Sequence, residues 1–257
     1  MQAELWLQAG FSTGGACWRH EADDARLGRH IVCRCSCGGL GDAPTVGPEH
    51  LEPADFVEAV DHPYFPLEPG NAWHYKVTSS DGDERIDVTV LDRRKRVDGV
   101  PATIVHDRVR TVHGRVVEDT YDWYAQDKKG NVWYLGEATK AFGRRGVSTK
   151  GSWEAGVDGA RAGLIMPAEP RVGRRYQQEY AKGEAEDQGE ILAVGETVKG
   201  PTGTYRPVVR TQDTTPLEPG LVESKWYAKG VGIVREADVK GGDERVVLVS
   251  WSSKAMR

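Results

Sequence analysis

The stretch YDWYAQDKKGNVWYLGE, residues 121–137, decides the fold class of this chain. Aromatic residues occupy both halves of the stretch, and a polar turn that ends in Gly130 separates them. Glycine supplies the positive φ that a bulged turn needs, so the stretch predicts a β-hairpin. A second stretch, KWYAKGVGIVRE at residues 225–236, has the same form. Two such aromatic hairpins predict an antiparallel β protein.

Short predicted strands continue on both sides of these hairpins, about eleven in all, at the turn spacing typical of sandwiches and barrels. Strands are expected at residues 72–79, 85–97 and 102–112, with Asp-Gly turns between them. Within the second of these strands, apolar residues alternate with polar ones, which predicts a sheet with one buried face. Residues 53–60 have the only pattern that suggests a short helix.

Residues 147–172 interrupt this rhythm with Gly, Ala and Pro and are expected to form a long crossover segment. Connections of this length are often functional, so one interpretation is a lid. The other is an irregular connection that plugs the core with Leu164, Ile165 and Met166.

The expected fold is all-β, with a strongly curved antiparallel sheet that forms a half-barrel or barrel-like structure. Residues 61–257 are predicted to be a single antiparallel β domain, since β proteins of this length often form one unit. Residues 1–60 are predicted to be a leader or tether that is mostly irregular.

Composition argues against several classes of function. The net charge is -5 with acidic and basic residues intermixed, so no basic face would bind nucleic acid. No apolar window is long enough for a transmembrane span. All four cysteines precede residue 38, and their spacing matches no standard zinc site. No cofactor motif occurs, so neither a metal nor a cofactor is expected.

The N-terminal region leaves the compartment open. Cys37 begins a Cys-Gly-Gly run and a Gly/Pro/Asp-rich tether, as in bacterial lipoproteins, so a lipid anchor at Cys37 is one hypothesis. The residues before it lack both a cleavage box and the apolar region of a signal peptide. The protein is therefore predicted to be extracytoplasmic, secreted or lipid-anchored, if the N-terminus is mis-assigned, and cytoplasmic otherwise.

Four stretches carry a resemblance to known proteins: HPYFPLEPGNAWHYKV at residues 62–77, GSWEAGVDGA at residues 151–160, and the two aromatic hairpins. Over residues 61–251 the chain resembles a family of uncharacterised exported proteins and lipoproteins of high-GC bacteria. More distantly, WYAKGVGIVRE is similar to a strand pair of the lipoprotein-localisation carriers. That resemblance implies a half-barrel around an apolar cavity for acyl chains, and it brings no catalytic residues.

Aromatic side chains are the main candidates for ligand contact, although they are also natural core residues because each buries about 150–250 Å² when packed. Adjacent Trp-Tyr pairs point to opposite faces of a strand, so both faces of the sheet would carry aromatic surface. The predicted ligand-binding residues are Tyr121, Trp123, Trp133, Trp153, Glu179, Glu223, Lys225 and Tyr227.

Three functions fit these features. The first is a non-enzymatic, extracytoplasmic protein that binds an apolar or amphipathic small molecule or a lipid, oriented by a few polar groups. The alternative is a carbohydrate-active hydrolase with paired carboxylates beside aromatic platforms. Its candidate carboxylates each lie within three residues of Trp or Tyr, where low polarity raises the pKa: Asp122, Glu154, Glu179 and Glu223. The third is an envelope interaction or assembly module with a packed interior.

Overall fold

The computed structural model describes residues 47–253, and within this range the protein is almost entirely β. A short 3₁₀-helix, Pro53–Asp55, comes first. The strands that follow are β1 (Phe56–Val57), β2 (Asp61–His62), β3 (Phe65–Pro66), β4 (Ala72–Thr78), β5 (Glu84–Val97), β6 (Val100–Thr111), β7 (Val116–Asp127), β8 (Val132–Gly143), β9 (Gly146–Ser148), β10 (Trp153–Glu154), β11 (Gly163–Met166), β12 (Arg175–Gln177), β13 (Gln188–Gly200), β14 (Gly203–Thr214), β15 (Val222–Ala228), β16 (Gly232–Lys240) and β17 (Arg245–Ser252).

Fifteen of these strands form one curved antiparallel sheet that does not close into a barrel, and β2 pairs with β3 separately. The main path runs β10-β8-β7-β6-β5-β4-β17-β16-β15-β14-β13-β12. The last strand, β17, pairs with β4 and so joins the two halves of the chain. Near the two ends of the path, Arg161 N donates to Tyr180 O at 2.8 Å in an isolated bridge. The predicted all-β, half-barrel-like fold is confirmed.

The predicted meander is present as β4, β5 and β6. Asp98 and Gly99 join the last two of these strands, and both have positive φ, 43° and 81°. Two such residues make a hairpin turn whose twist matches that of the flanking strands. Ile86, Val88 and Val90 are buried, as the alternation in β5 predicts.

The described residues contain seventeen strands, more than the eleven expected. The additional ones have only two to four residues, as in β9, β10 and β11. So few residues carry no readable alternation, and their pairing with β8 is what makes them strands.

The segment 147–172 connects β8 to β12 at the other end of the path, as the expected long crossover does, and its short strands β10 and β11 both pair with β8. Leu164, Ile165 and Met166 are all buried, as the core interpretation of this segment expects. All four residues of β11 are buried, so the segment is a structural part of the sheet.

Of residues 53–60, only Pro53–Asp55 are helical, as the short 3₁₀-helix. After the 3₁₀-helix the chain extends into β1, whose Phe56 and Val57 pair with Asp127 and Gln126 of β7. Sheet pairing therefore overrides the apolar spacing that suggested a helix.

The domain boundary at residue 60 stays a prediction, but the described part of the predicted tether packs on the sheet. Leu51 and Val60 are buried in the core. Cys37 lies outside the described residues, so the lipid anchor also stays a prediction. Within residues 47–253, no helix is long and apolar enough to cross a membrane.

Candidate functional site

The buried face of the sheet borders a small interior pocket of about 50 Å³. Strands β4 to β7, β15 and β16 contribute side chains to it, Ile165 comes from β11, and β3 contributes Phe65 and Pro66. One water needs about 10–15 Å³ of such volume, so the pocket takes about three to five atoms. An acyl chain is far larger than this pocket.

Aromatic contacts fill the space around the interior pocket. Tyr124 stacks on Tyr134 with 4.9 Å between ring centroids. Phe65 meets Tyr124 edge-on at 5.2 Å and lies 6.3 Å from Tyr227. Because Tyr124, Tyr134 and Tyr227 are each at most 1% exposed, these rings form a rigid wall.

Two polar groups that border this pocket have no hydrogen-bond partner within the described chain. One is the carboxyl group of Asp107, of which neither oxygen has a partner, and the other is the hydroxyl group of Tyr124. Asp107 is 2% exposed. Burial raises the pKa of its carboxyl well above the usual range, and the nearby carboxyls of Asp122 and Glu118 raise it further. The uncharged form of Asp107 is therefore favoured.

Lys225 also borders the pocket, but carboxylates already surround its ammonium group. Its Nζ lies 3.2 Å from Asp213 and 3.2 Å from Glu223. Burial lowers the pKa of Lys225, yet these carboxylates raise it by more, so it stays above the usual range. Burial raises the pKa of Glu223 to about 7, against the opposing effect of Lys225. The lysine therefore serves as the counter-ion of this cluster.

Two other predicted acids, Asp122 and Glu179, lie deep in the core and do not border the interior pocket. Burial raises the pKa of Asp122 to about 7, although Tyr134 donates a hydrogen bond to its Oδ1 at 2.8 Å. Burial also raises the pKa of Glu179 well above the usual range, with a further contribution from Asp187. Asp122 and Glu179 are 0% and 1% exposed, so neither can meet a ligand from solvent.

A larger cavity, of about 420 Å³, lies beside β10 and is called the crevice from here on. Trp123 of β7 and Trp153 of β10 line it, together with apolar residues of the following loops. This volume is within the range of about 300–1,000 Å³ that small-molecule sites occupy. Its polar lining residues are Glu137, Ser152, Glu154, Asp158, Lys182 and Glu184.

The crevice depends on a close backbone approach at Gly136. A Cβ at this position would lie 2.3 Å from the carbonyl oxygen of Trp153, so only glycine lets β10 pair here. Two of the lining residues contact Lys95 of β5, whose Nζ lies 4.3 Å from the Trp123 ring centroid and 3.0 Å from the Glu154 carboxylate. Lys95 therefore holds the tryptophan and the carboxylate in place.

The predicted ligand-binding residues are divided among four places. Trp123 and Trp153 line the crevice, and Lys225 and Tyr227 border the interior pocket. Glu179 and Glu223 are buried in the core, whereas Tyr121 and Trp133 are only partly buried and lie near the surface.

The last two of these residues have local partners of their own. The Tyr121 ring stacks on His106 with 4.4 Å between centroids. Trp133 Nε1 donates to the Asp127 carboxylate at 3.0 Å. Of the four carboxylates considered for a hydrolase, Glu154 alone lines the crevice.

Sequence reasoning missed Asp107 as a pocket residue. The signal was available, because Asp107 occupies a buried position between Val105 and Val109 in the alternation of β6. A carboxyl at an apolar position of a strand is the pattern that marks such a residue.

No group of three or more His, Cys, Asp and Glu side chains within residues 47–253 is arranged to hold a metal ion.

Comparisons with known proteins give two structural neighbours. No family model and no curated protein matches the chain. The chain is similar to a presumed exported protein with a YmcC-like fold from Bacteroides fragilis, at 16% identity and a TM-score of 0.44, over 74% of this chain and 99% of that one. It is also similar to a presumed lipoprotein from Parabacteroides distasonis, at 12% identity and a TM-score of 0.41, over 74% and 98%. These descriptions apply to those two proteins.

Proposed function

We propose that this protein is a non-enzymatic binding protein for a small amphipathic molecule, and that the crevice beside β10 is its binding site. The observation that carries the proposal is one cavity of about 420 Å³ lined by both Trp123 and Trp153. A site of this size with aromatic walls and a few polar groups is the common form of a small-molecule site.

The two tryptophans supply the apolar part of the site. Trp123 and Trp153 are 7% and 6% exposed, so both rings are already held before a ligand arrives. Trp153 meets Tyr134 edge-on at 5.3 Å. Because little side-chain freedom is lost on binding, a pre-ordered site of this kind favours affinity.

The polar lining favours a ligand with a cationic or hydrogen-bond-donating end. Four carboxylates line the crevice against one lysine, Lys182. One of the four, Glu154, is paired with Lys95, which also lies over the face of Trp123. That contact supports the view that this ring accepts a cation. The proposed ligand therefore places a flat apolar body on the tryptophans and its polar end on the carboxylates.

The interior pocket has only about 50 Å³, so it has no room for the acyl chain that a carrier of the half-barrel type would hold. Action outside the cytoplasm is part of the proposal and depends on the tether that follows Cys37.

Native mass spectrometry of the full chain, purified from its own or a related host, tests this proposal. We expect a retained small molecule in the wild type and in Trp226→Leu, a tryptophan outside the crevice. We expect its loss in Trp153→Leu. Bare protein in every sample, or equal retention by both variants, would contradict the assignment of the crevice.

A carbohydrate hydrolase is a second candidate, because Glu137 and Glu154 line the same crevice as the two tryptophans. Two carboxylates beside aromatic platforms are the usual equipment of glycoside hydrolysis. Turnover of a polysaccharide panel tests it. If the wild type degrades a polysaccharide and each of the variants Glu137→Gln and Glu154→Gln has lost this activity, the protein is a hydrolase and the proposed binding function is wrong.

A further inference from the structure

We propose that the interior pocket is a second binding site, separate from the crevice, for a compact organic ammonium ion, with Asp107 as its counter-ion. The pocket and the crevice share no lining residue, so the two sites can be altered independently.

The buried carboxyl of Asp107 is the first support for this site. Both of its oxygens lack a hydrogen-bond partner in the described chain, and the side chain borders the pocket. A buried polar group without a partner is destabilising, and native proteins usually satisfy such groups. An ammonium ion in the pocket would donate hydrogen bonds to these oxygens and balance their charge.

The aromatic wall is the second support. Phe65, Tyr124 and Tyr227 border the pocket, and the Phe65 ring lies within 6.3 Å of both tyrosine rings. Aromatic faces attract organic cations, and cages of such rings are a common way to bind them. The Tyr124 hydroxyl, which also lacks a partner, can accept a further hydrogen bond from the cation.

Other polar groups around the pocket are already engaged within the protein. Trp73 Nε1 donates to Val231 O at 2.7 Å, and Tyr75 donates its hydroxyl hydrogen to Ile233 O at 3.0 Å. Lys225 is paired with two carboxylates, so its charge does not cancel the attraction of Asp107 for a cation. The pocket therefore presents acceptors to a ligand.

Size and apolar lining define the class of cation. A pocket of about 50 Å³ takes about three to five heavy atoms, as in n-propylammonium. Val88, Val105 and Ile165 would contact a short alkyl group. An inorganic ion needs several oxygen ligands, whereas Asp107 is the one carboxylate that borders this pocket.

Proton release should accompany binding. Burial and four carboxyls, those of Asp122, Glu118, Asp87 and Asp119, all favour the protonated form of Asp107 in the empty pocket. A bound ammonium favours the ionised form. Affinity for the cation should therefore increase as pH rises.

Calorimetric titration of the full chain with n-propylammonium tests the proposal, with 1-propanol as the uncharged control. We expect binding of the ammonium that strengthens with pH and releases protons. Asp107→Asn keeps the shape of the side chain and should weaken this binding by at least about tenfold. Glu179→Gln removes another buried carboxyl that borders neither cavity, and it should leave the affinity unchanged.

Removing a buried carboxyl without a partner should not prevent folding, so Asp107→Asn remains testable, and circular dichroism verifies its fold. Equal affinity of wild type and Asp107→Asn would overturn the proposal. So would absence of binding to the wild type, equal loss in Glu179→Gln, or displacement of the ammonium by an equal concentration of potassium. Titrating Trp153→Leu separates the two sites, since this crevice variant should bind n-propylammonium normally.

Discussion

The hairpins β7–β8 and β15–β16 follow the same backbone plan, as their shared Trp-Tyr-Ala sequence suggests. Trp123 pairs with Gly136 in the first, and Trp226 pairs with Arg235 in the second. In both hairpins the register shifts at the next residue, where the return strand has one extra residue. Such a bulge re-aims the side chains that follow it.

The shared plan gives the two hairpins the same buried tyrosine. Tyr124 and Tyr227 are each 1% exposed and both border the interior pocket. Phe65 lies between them and contacts both rings. The repeated motif therefore builds the two sides of one pocket.

The two hairpins differ in the residue that pairs with the tryptophan, which is Gly136 in the first and Arg235 in the second. Gly136 leaves room for the backbone of Trp153, so a further strand pairs there and the crevice forms. Arg235 instead places its guanidinium 5.5 Å from the centroid of the Trp226 ring. At this position the glycine of the first hairpin admits the Trp153 backbone, whereas the arginine of the second lies over the tryptophan ring.

The largest expected difference comes from truncating the two tryptophans. Trp123→Ala removes a ring that is 7% exposed and should lower the free energy of unfolding by about 3–5 kcal/mol. Trp226 is only partly buried, so Trp226→Ala should lower it by about 1–2 kcal/mol. Urea unfolding of both variants measures the difference. Equal losses would show that the segment around β10 does not stabilise the first hairpin.

Alanine substitution of two glycines isolates the close approach at β10. Gly136→Ala should lower the free energy of unfolding by about 2–4 kcal/mol, because the new Cβ would overlap the Trp153 carbonyl. Gly232→Ala is the matched control in the second hairpin. Gly232 has φ +97°, but no atom lies within 3.8 Å of a new Cβ, so only backbone strain of about 1–2 kcal/mol applies. If the two variants unfold at the same urea concentration, the contact with β10 contributes nothing.

The sequence predicted the parts of the fold that depend on local pattern. Alternation in β5 and the Asp-Gly turn at residues 98–99 are visible in neighbouring residues, so their strands were placed correctly. Residues 121–137 and 225–236 lie in the antiparallel pairs β7–β8 and β15–β16. Two-residue strands such as β10 carry no such pattern, because their pairing depends on the shape of β8 at Gly136.

The candidate sites were harder to predict, because they depend on register between strands that are distant in the chain. Asp107 of β6, Tyr124 of β7 and Lys225 of β15 meet at one pocket. Alternation shows that each of them faces inward, but only the strand order brings them together. Trp153 reaches the crevice for a similar reason, since Gly136 admits its strand.

The residue before each tryptophan also differs, and this predicts opposite effects of pH. Asp122 faces Glu137 in the first hairpin, whereas Lys225 faces Glu236 in the second. Burial raises the pKa of Asp122 from 3.8 to about 7 in the folded protein. Between these values the folded chain holds a proton that the unfolded chain releases. The contribution of Asp122 to the free energy of unfolding should therefore fall as pH rises from about 4 to 7, and then level off.

Asp122→Asn removes this titration while Asn Oδ1 can still accept the hydrogen bond from Tyr134. It should flatten the fall between pH 4 and 7 by on the order of 3–4 kcal/mol in urea unfolding. Lys225→Met should extend the fall above pH 7, because Glu223 loses the cation that lowers its pKa. The exposed Glu58→Gln is the control and should leave the slope unchanged. An unaltered slope in Asp122→Asn would mean that Asp122 is already ionised in the folded core, and that its neighbours stabilise the charge.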